Sequence, residues 1–196
     1  MLNPAAAYRY LAQQPPGRGR AWLAWRGPLW VAVALGCTMS LNASARLTLR
    51  LAAPATIYWS FVPLAEIAAL AAVCWRRGRR LSFHRTVDLF FAGHGPWLLW
   101  LIGLGAIWSS IRPIRAFALT GAWLYGAGAI VIVWSAYIDF CFFRFVRDRR
   151  PAQAARDLLL QRLISWTIIV AIFGGPAIPP EAAARLGARL GAGFGL

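Results

Sequence analysis

The sequence predicts an all-α integral membrane protein, a bundle of five transmembrane helices with the N-terminus inside and the C-terminus outside. Three observations predict it. Hydrophobic residues make up 60% of the 196 residues and charged residues only 14%, and the mean hydropathy is +0.56. Soluble domains run nearer 45–50% apolar and about 25% charged. Five apolar runs approach the roughly 20 residues that a membrane helix needs. The arginines between those runs alternate in number from one connection to the next.

The first expected span is Pro28 to about Ala45, and the second is Thr56 to Trp75. The third is Leu89 to Ile111, and the fourth runs from Phe117 to about Phe143. The fifth, Leu163 to Ile178, is the shortest. Every basic residue is Arg, 21 in all against six acidic residues, for a net charge of +15. The N-terminal arm, the second connection and the fourth hold 15 of these arginines, and the other three segments hold six. The positive-inside rule therefore puts the N-terminus in the cytoplasm and the C-terminus outside. Residues 1–27 read as a cytoplasmic interfacial arm, residues 28–178 as the membrane domain and residues 179–196 as an external tail with a weak helical pattern. Pro28 to Leu41 followed by Ala43-Ser44-Ala45 also fits a signal peptide. The charged region before it is long for one, so the segment reads as a span.

The interfaces have their own markers. Trp30, Trp59, Trp75, Trp97, Trp108 and Trp123 fall near expected span ends, where amphipathic rings sit. Tyr8, Tyr10, Leu11, Trp22 and Trp25 suggest an arm lying on the headgroups, divided at Pro15-Pro16-Gly17. The Arg-only, Ala-rich composition reads as that of a GC-rich bacterial genome, so the expected location is the cytoplasmic membrane. The basic charge then finds its partner in anionic headgroups. With no zinc-finger spacing and no aromatic RNA-binding motif, nucleic acid is not an expected partner. The three cysteines, Cys37, Cys74 and Cys141, are too scattered for a disulfide framework or a metal site and read as small buried hydrophobes.

An ionisable residue inside a bilayer is a functional candidate by default. Glu66 is the clearest, near the middle of the second expected span. Pro63 stands three residues before it, so Trp59 C=O loses its donor and the helix is expected to kink there. Transporters build sites from such interrupted helices. The alternative is a structural Glu bonded to Ser40, Asn42 or Thr120. A second cluster is expected toward the cytoplasmic side, formed by Asp88, His94, Asp139 and Arg162. Asp139 pairs there with Arg144 or Arg162, and His84 with Asp88 sits four apart on one face. Structural pairing and a proton-relay or substrate role both remain open for it. Haem between His94 and His84 is disfavoured, because both lie on one chain segment ten residues apart. No G-x-S-x-G, H-E-x-x-H or P-loop occurs, so no catalytic residue, metal or cofactor is expected. The Gly93–Pro96 stretch, with Pro96 inside it, reads as a kinked helix start. Ala65 with Ala69, and Ala118 with Ala122 and Gly126, form small-residue stripes suited to close helix packing or an oligomer interface.

The pattern resembles the Yip family, five-span membrane proteins first known as Rab-GTPase-interacting proteins, with many bacterial relatives. The resemblance is carried by the layout, by Asn3-Pro4 and Tyr8-Arg9-Tyr10-Leu11 in the arm, by Ser82-Phe83-His84-Arg85, and by Leu89 to Leu101 with Pro96 inside. It covers Pro4 to about Ile178, without the long cytosolic region of eukaryotic members. It implies the N-in, C-out layout, no defined chemistry and no functional residues. Three functions are therefore weighed. The favoured one is a non-catalytic scaffold or accessory subunit, with other membrane subunits or a homo-oligomer as partner. The second is a small transporter or channel using Glu66 and the Asp/His cluster, which requires Glu66 to face a cavity. The third is a membrane anchor for an electron-transfer or cofactor-bearing complex.

Overall fold

A computed structural model describes residues 3–13, 24–75, 81–110 and 114–174. Among them every regular element is helical. Helix α1 spans Pro4–Gln13, α2 Arg26–Ser44, α3 Leu49–Trp59, α4 Phe61–Trp75 and α5 Phe83–Phe91. A 3₁₀ turn, Ala92–His94, leads into α6, Gly95–Ser110. Helix α7, Ile114–Cys141, ends in a π turn, Phe142–Val146, and α8 spans Pro151–Gly174. Three stretches are long and apolar enough to cross a membrane: Leu49–Cys74, Phe83–Ile107 and Gly126–Val146. Their composition marks the chain as a membrane protein.

Local chemistry explains most of the boundaries. Asn3 Oδ1 accepts from Ala6 N at 3.0 Å and starts α1. Helix α2 ends where Ala45 turns left-handed (φ 54°) and its N–H reaches Leu41 O. Ser40 Oγ then accepts from Thr48 N at 3.1 Å, which closes the α2–α3 turn. Ser82 caps α5 through Arg85 N. Pro151 opens α8, where a missing N–H costs nothing.

The second expected span began at Thr56; the helix instead begins at Leu49 and carries Pro54 inside α3. It breaks at Ser60, three residues before Pro63. Ser60 N reaches back to Ile57 O at 3.3 Å and Ser60 Oγ donates to the same carbonyl at 2.7 Å. Pro63 has no N–H to give Trp59 C=O, so the α-helical ladder is interrupted at this turn. The third expected span begins earlier as well, at Phe83, with the 3₁₀ turn just before Pro96. Helices α2 and α8 are present, yet neither is among the three strongly apolar stretches. Thr38, Ser40, Asn42 and Ser44 dilute the end of α2, and Arg156, Asp157 and Arg162 fall in the first half of α8.

Helix α2 packs on α3 and α6, and α4 runs along α8. Gly36 makes the first contact so close that a Cβ there would sit 2.7 Å from the backbone atoms Ala52 O and Thr56 N. Thr38 Oγ1 shares its one proton between Ala34 O of its own helix at 2.8 Å and Leu101 O of α6 at 2.9 Å, which ties α2 to α6. The core centres on an aromatic chain of Tyr8, Phe142, Phe90 and Phe91 in edge-to-face contacts. Tyr8, assigned by sequence to a headgroup-facing arm, is instead fully buried. Its hydroxyl donates to Leu89 O at 3.2 Å, so α1 docks on the π turn and α7. Burial, with the Asp139 carboxylate nearby, pushes the Tyr8 phenol up, so it stays neutral. Arg9 stacks over the Phe145 ring at 4.5 Å on the same face.

Ala65 and Ala69 are both buried on α4. Gly126 is exposed, and a Cβ there would meet nothing within 4 Å, so it packs against no other helix of this chain. Two residues on, Gly128 is the buried one and packs against Trp100. The two glycines are about 200° apart around the helix, so the packing face lies opposite Gly126. The side chains of Ala118, Ala122, Thr120, Trp75, Trp108 and Trp123 lie outside the described residues, as do Trp22, residues 76–80 of the second connection and the tail at 179–196.

Candidate functional site

Four ionisable side chains from four elements meet in the interior: Glu66 of α4, His94 of the 3₁₀ turn, Asp139 of α7 and Arg162 of α8. Glu66 is 9% exposed, His94 4% and Asp139 1%, while the Arg162 side chain is 24% exposed. His94 Nε2 lies 3.1 Å from Glu66 Oε2, and His94 Nδ1 lies 3.3 Å from Phe90 O. Arg162 Nη2 donates to Asp139 and, at 3.1 Å, to Ser135 Oγ. Its Nη1 stands 3.9 Å from Glu66 Oε1, an ion-pair distance beyond hydrogen-bond range.

The cluster differs from the sequence expectation in two ways. Glu66 joins the group rather than standing alone at mid-depth. Because the helix starts at Leu49, Glu66 lies about 12 Å from the Cys74 end of its apolar stretch and about 25 Å from the other. Asp139 lies a similar distance, about 10 Å, from the Val146 end of its own stretch. Both are thus nearer the ends that carry the arginine-rich connections. Asp88 leaves the group. Its side chain is 45% exposed and pairs with Arg85 at 3.3 Å instead of His84. Asp88 and His94 are six residues apart, which puts them roughly 120° apart around a helix, so one buried face cannot hold both. Arg162 rather than Arg144 is the partner of Asp139. Arg144 bonds Arg149 O where the π turn closes. Ser40 serves the α2–α3 turn and not Glu66.

Two residues complete the site that sequence reasoning missed. Trp97 Nε1 donates to Ser135 Oγ at 2.8 Å, so Ser135 links α6, α7 and α8. Ser135 stands four residues before Asp139 on one helical face, a spacing that could have announced it. Trp97 had the look of an interfacial ring, and only its polar partner shows otherwise.

The hydrogen-bond roles constrain the protons. Phe90 O only accepts, so His94 Nδ1 carries a proton. His94 Nε2 and Glu66 Oε2 then share one further proton, held either as imidazolium with carboxylate or as imidazole with carboxylic acid. In both forms the four side chains sum to zero charge, because Arg162 balances Asp139. Such a buried network is tolerable because each charge has a partner. Both His94 nitrogens are engaged as placed. Among the described residues, no three His, Cys, Asp or Glu side chains are arranged to hold a metal ion.

Above the cluster opens a cavity of about 630 Å³. Its walls are Val31 and Leu35 of α2, Trp59 and Val62 beside the Ser60 break, Trp97 and Leu101 of α6, and Ser165, Trp166, Ile169, Val170 and Phe173 of α8. Glu66, His94 and Arg162 form its polar patch. Trp166 and Val170 line the cavity and remain 57% and 60% exposed, so the α8 side reaches the protein surface. A mostly apolar concavity of this size with a few convergent polar groups is the usual form of a small-ligand site.

No family of known proteins, no curated protein and no solved structure matches this chain. The likeness to the Yip family rests on the sequence features alone.

Proposed function

We propose that this protein is a five-pass membrane carrier, N-terminus inside and C-terminus outside, that takes a small amphiphile from the bilayer into the cavity between α2, α4, α6 and α8. The observation that carries the reading is that Glu66, His94 and Arg162 line an apolar cavity open at the α8 side. A purely structural cluster would be sealed in a packed seam. The bacterial cytoplasmic membrane fits the composition. Native mass spectrometry after mild extraction tests the reading: a stoichiometric small-molecule adduct is expected, and Val62→Trp, which pushes an indole ring into the cavity from its wall, should weaken or remove it.

The accessory-subunit reading has its own support in the exposed apolar faces of α6 and α7, where Leu99, Ile130 and Val133 stand clear of the protein. Lipid or a neighbouring subunit would cover them equally well. A stoichiometric protein partner with no adduct in the same experiment would favour that reading over the carrier.

A further inference from the structure

The chemistry of the cavity's polar patch selects among amphiphiles, and the selection rests on the carrier reading above. We propose that the cavity binds a single-chain carboxylic acid, a fatty-acid-like amphiphile, whose acid proton passes to the Glu66–His94 pair while Arg162 holds the resulting carboxylate.

The argument begins with charge. The groups that face one another at the patch are Glu66 from α4, His94 from the 3₁₀ turn, Asp139 from α7 and Arg162 from α8, with the neutral Tyr8 phenol of α1 near Asp139. Together they carry no net charge and one shared proton. A ligand arriving from lipid through the open α8 side must also be neutral, since a bare charge in a bilayer is costly. A permanently anionic head, such as a sulfonate, would leave one uncompensated negative charge in a buried site. A permanent cation would have to expel the shared proton and lie against Arg162. A protonated carboxylic acid avoids both costs. Its O–H bond breaks, the proton adds to the Glu66–His94 pair, and the pair then holds two protons besides the one on Nδ1, as carboxylic acid and imidazolium. The ligand is then −1, the pair +1, and the complex stays neutral.

The geometry supplies the matching donors. Arg162 Nη2 is committed to Asp139 and Ser135, while Nη1 approaches Glu66 only to 3.9 Å. The guanidinium edge at Nη1 can therefore turn to a ligand carboxylate. The tail has room as well. At about 30 Å³ for each methylene-sized group, taken as the volume share of a water molecule, 630 Å³ holds a chain on the order of 20 heavy atoms.

The test uses the full chain in phosphatidylcholine nanodiscs with radiolabelled hexadecanoic acid at neutral pH. Saturable binding near one per protein is expected. Hexadecanoic acid methyl ester, hexadecyltrimethylammonium and hexadecanesulfonate should each compete at least tenfold more weakly than unlabelled acid. The variant Asp139→Asn raises the net charge of the patch by one and should gain sulfonate binding, at least tenfold over wild type. That gain cannot be produced by loss of the fold. If the ester or the cation competes as well as the acid, or if Asp139→Asn keeps a cooperative thermal melt and yet gains no sulfonate binding, the head-group assignment is overturned while the carrier reading survives. If no amphiphile binds and Val62→Trp changes nothing, the carrier reading fails with it.

Discussion

The Arg162–Asp139 pair gives the sharpest test of how this interior is held together. Asp139 is 1% exposed, and the Arg162 guanidinium is its direct partner. Replacing Arg162 by Met keeps much of the side-chain volume but strands a buried carboxylate. Removing one member of a buried pair costs about 3–5 kcal/mol. At 3.9 Å the attraction between Arg162 and Glu66 is itself worth about 4 kcal/mol gross at an effective dielectric of 20, before desolvation is subtracted. Arg162→Met should therefore lower Tm by roughly 6–20 °C for a chain of this size. The double variant Arg162→Met/Asp139→Leu should recover at least half of the loss, because an apolar replacement of both partners removes the stranded charge. Tryptophan fluorescence during heating in mild detergent reads both. A double variant no more stable than Arg162→Met alone would refute the pairing argument, since the loss would then come from packing rather than from an orphaned carboxylate.

Other outcomes follow from single contacts. Tyr8→Phe should cost about 1 kcal/mol through the lost hydrogen bond to Leu89 O, whereas Tyr8→Ala should cost about 3–5 kcal/mol and release α1 to limited proteolysis. Gly36→Ala places a methyl carbon 2.1 Å from Thr56 Oγ1 and 2.7 Å from α3 backbone, so α2 and α3 must part at a cost of about 1–3 kcal/mol in a thermal melt. Thr38→Val should cost about 0.6 kcal/mol by loss of the bond to Leu101 O, the size of an average interhelical hydrogen bond in a membrane. In a background lacking the three native cysteines, Arg46→Cys should react with an impermeant thiol reagent on intact cells and Asp148→Cys should not. The reverse pattern would invert the proposed orientation.

Much of the helix map was legible because a bilayer imposes a coarse rule. A span needs a long apolar run, and the composition displays one wherever α3–α4, α5–α6 and α7 lie. Helix ends were less legible. The second expected span left out Leu49 to Ala55, although the helix runs through them with Pro54 tolerated inside α3. That misplacement shifted the apparent depth of Glu66 and hid its meeting with His94. Asp88 was grouped with His94 by proximity along the chain and lies on another face of its helix, while Gly126, placed in its stripe by four-residue spacing, faces away from the other helices of this chain. Ser135, a small polar residue without charge, carried a spacing signal to Asp139 but nothing that named Trp97 or Arg162 as partners.

The amino-acid sequence by itself determined the solvent this chain belongs in, the helical class, and which few side chains would be expensive to bury. Those properties follow from composition and local hydropathy, which are additive along the chain. Only the tertiary structure decided that Glu66, His94, Asp139 and Arg162 form one neutral network, that Asp88 does not belong to it, and that a cavity opens beside it. Those facts depend on the relative rotation and depth of four elements separated by up to 96 residues. Rotation and depth are set by contacts such as Gly36 against α3 and Tyr8 beneath the π turn, which no local pattern encodes.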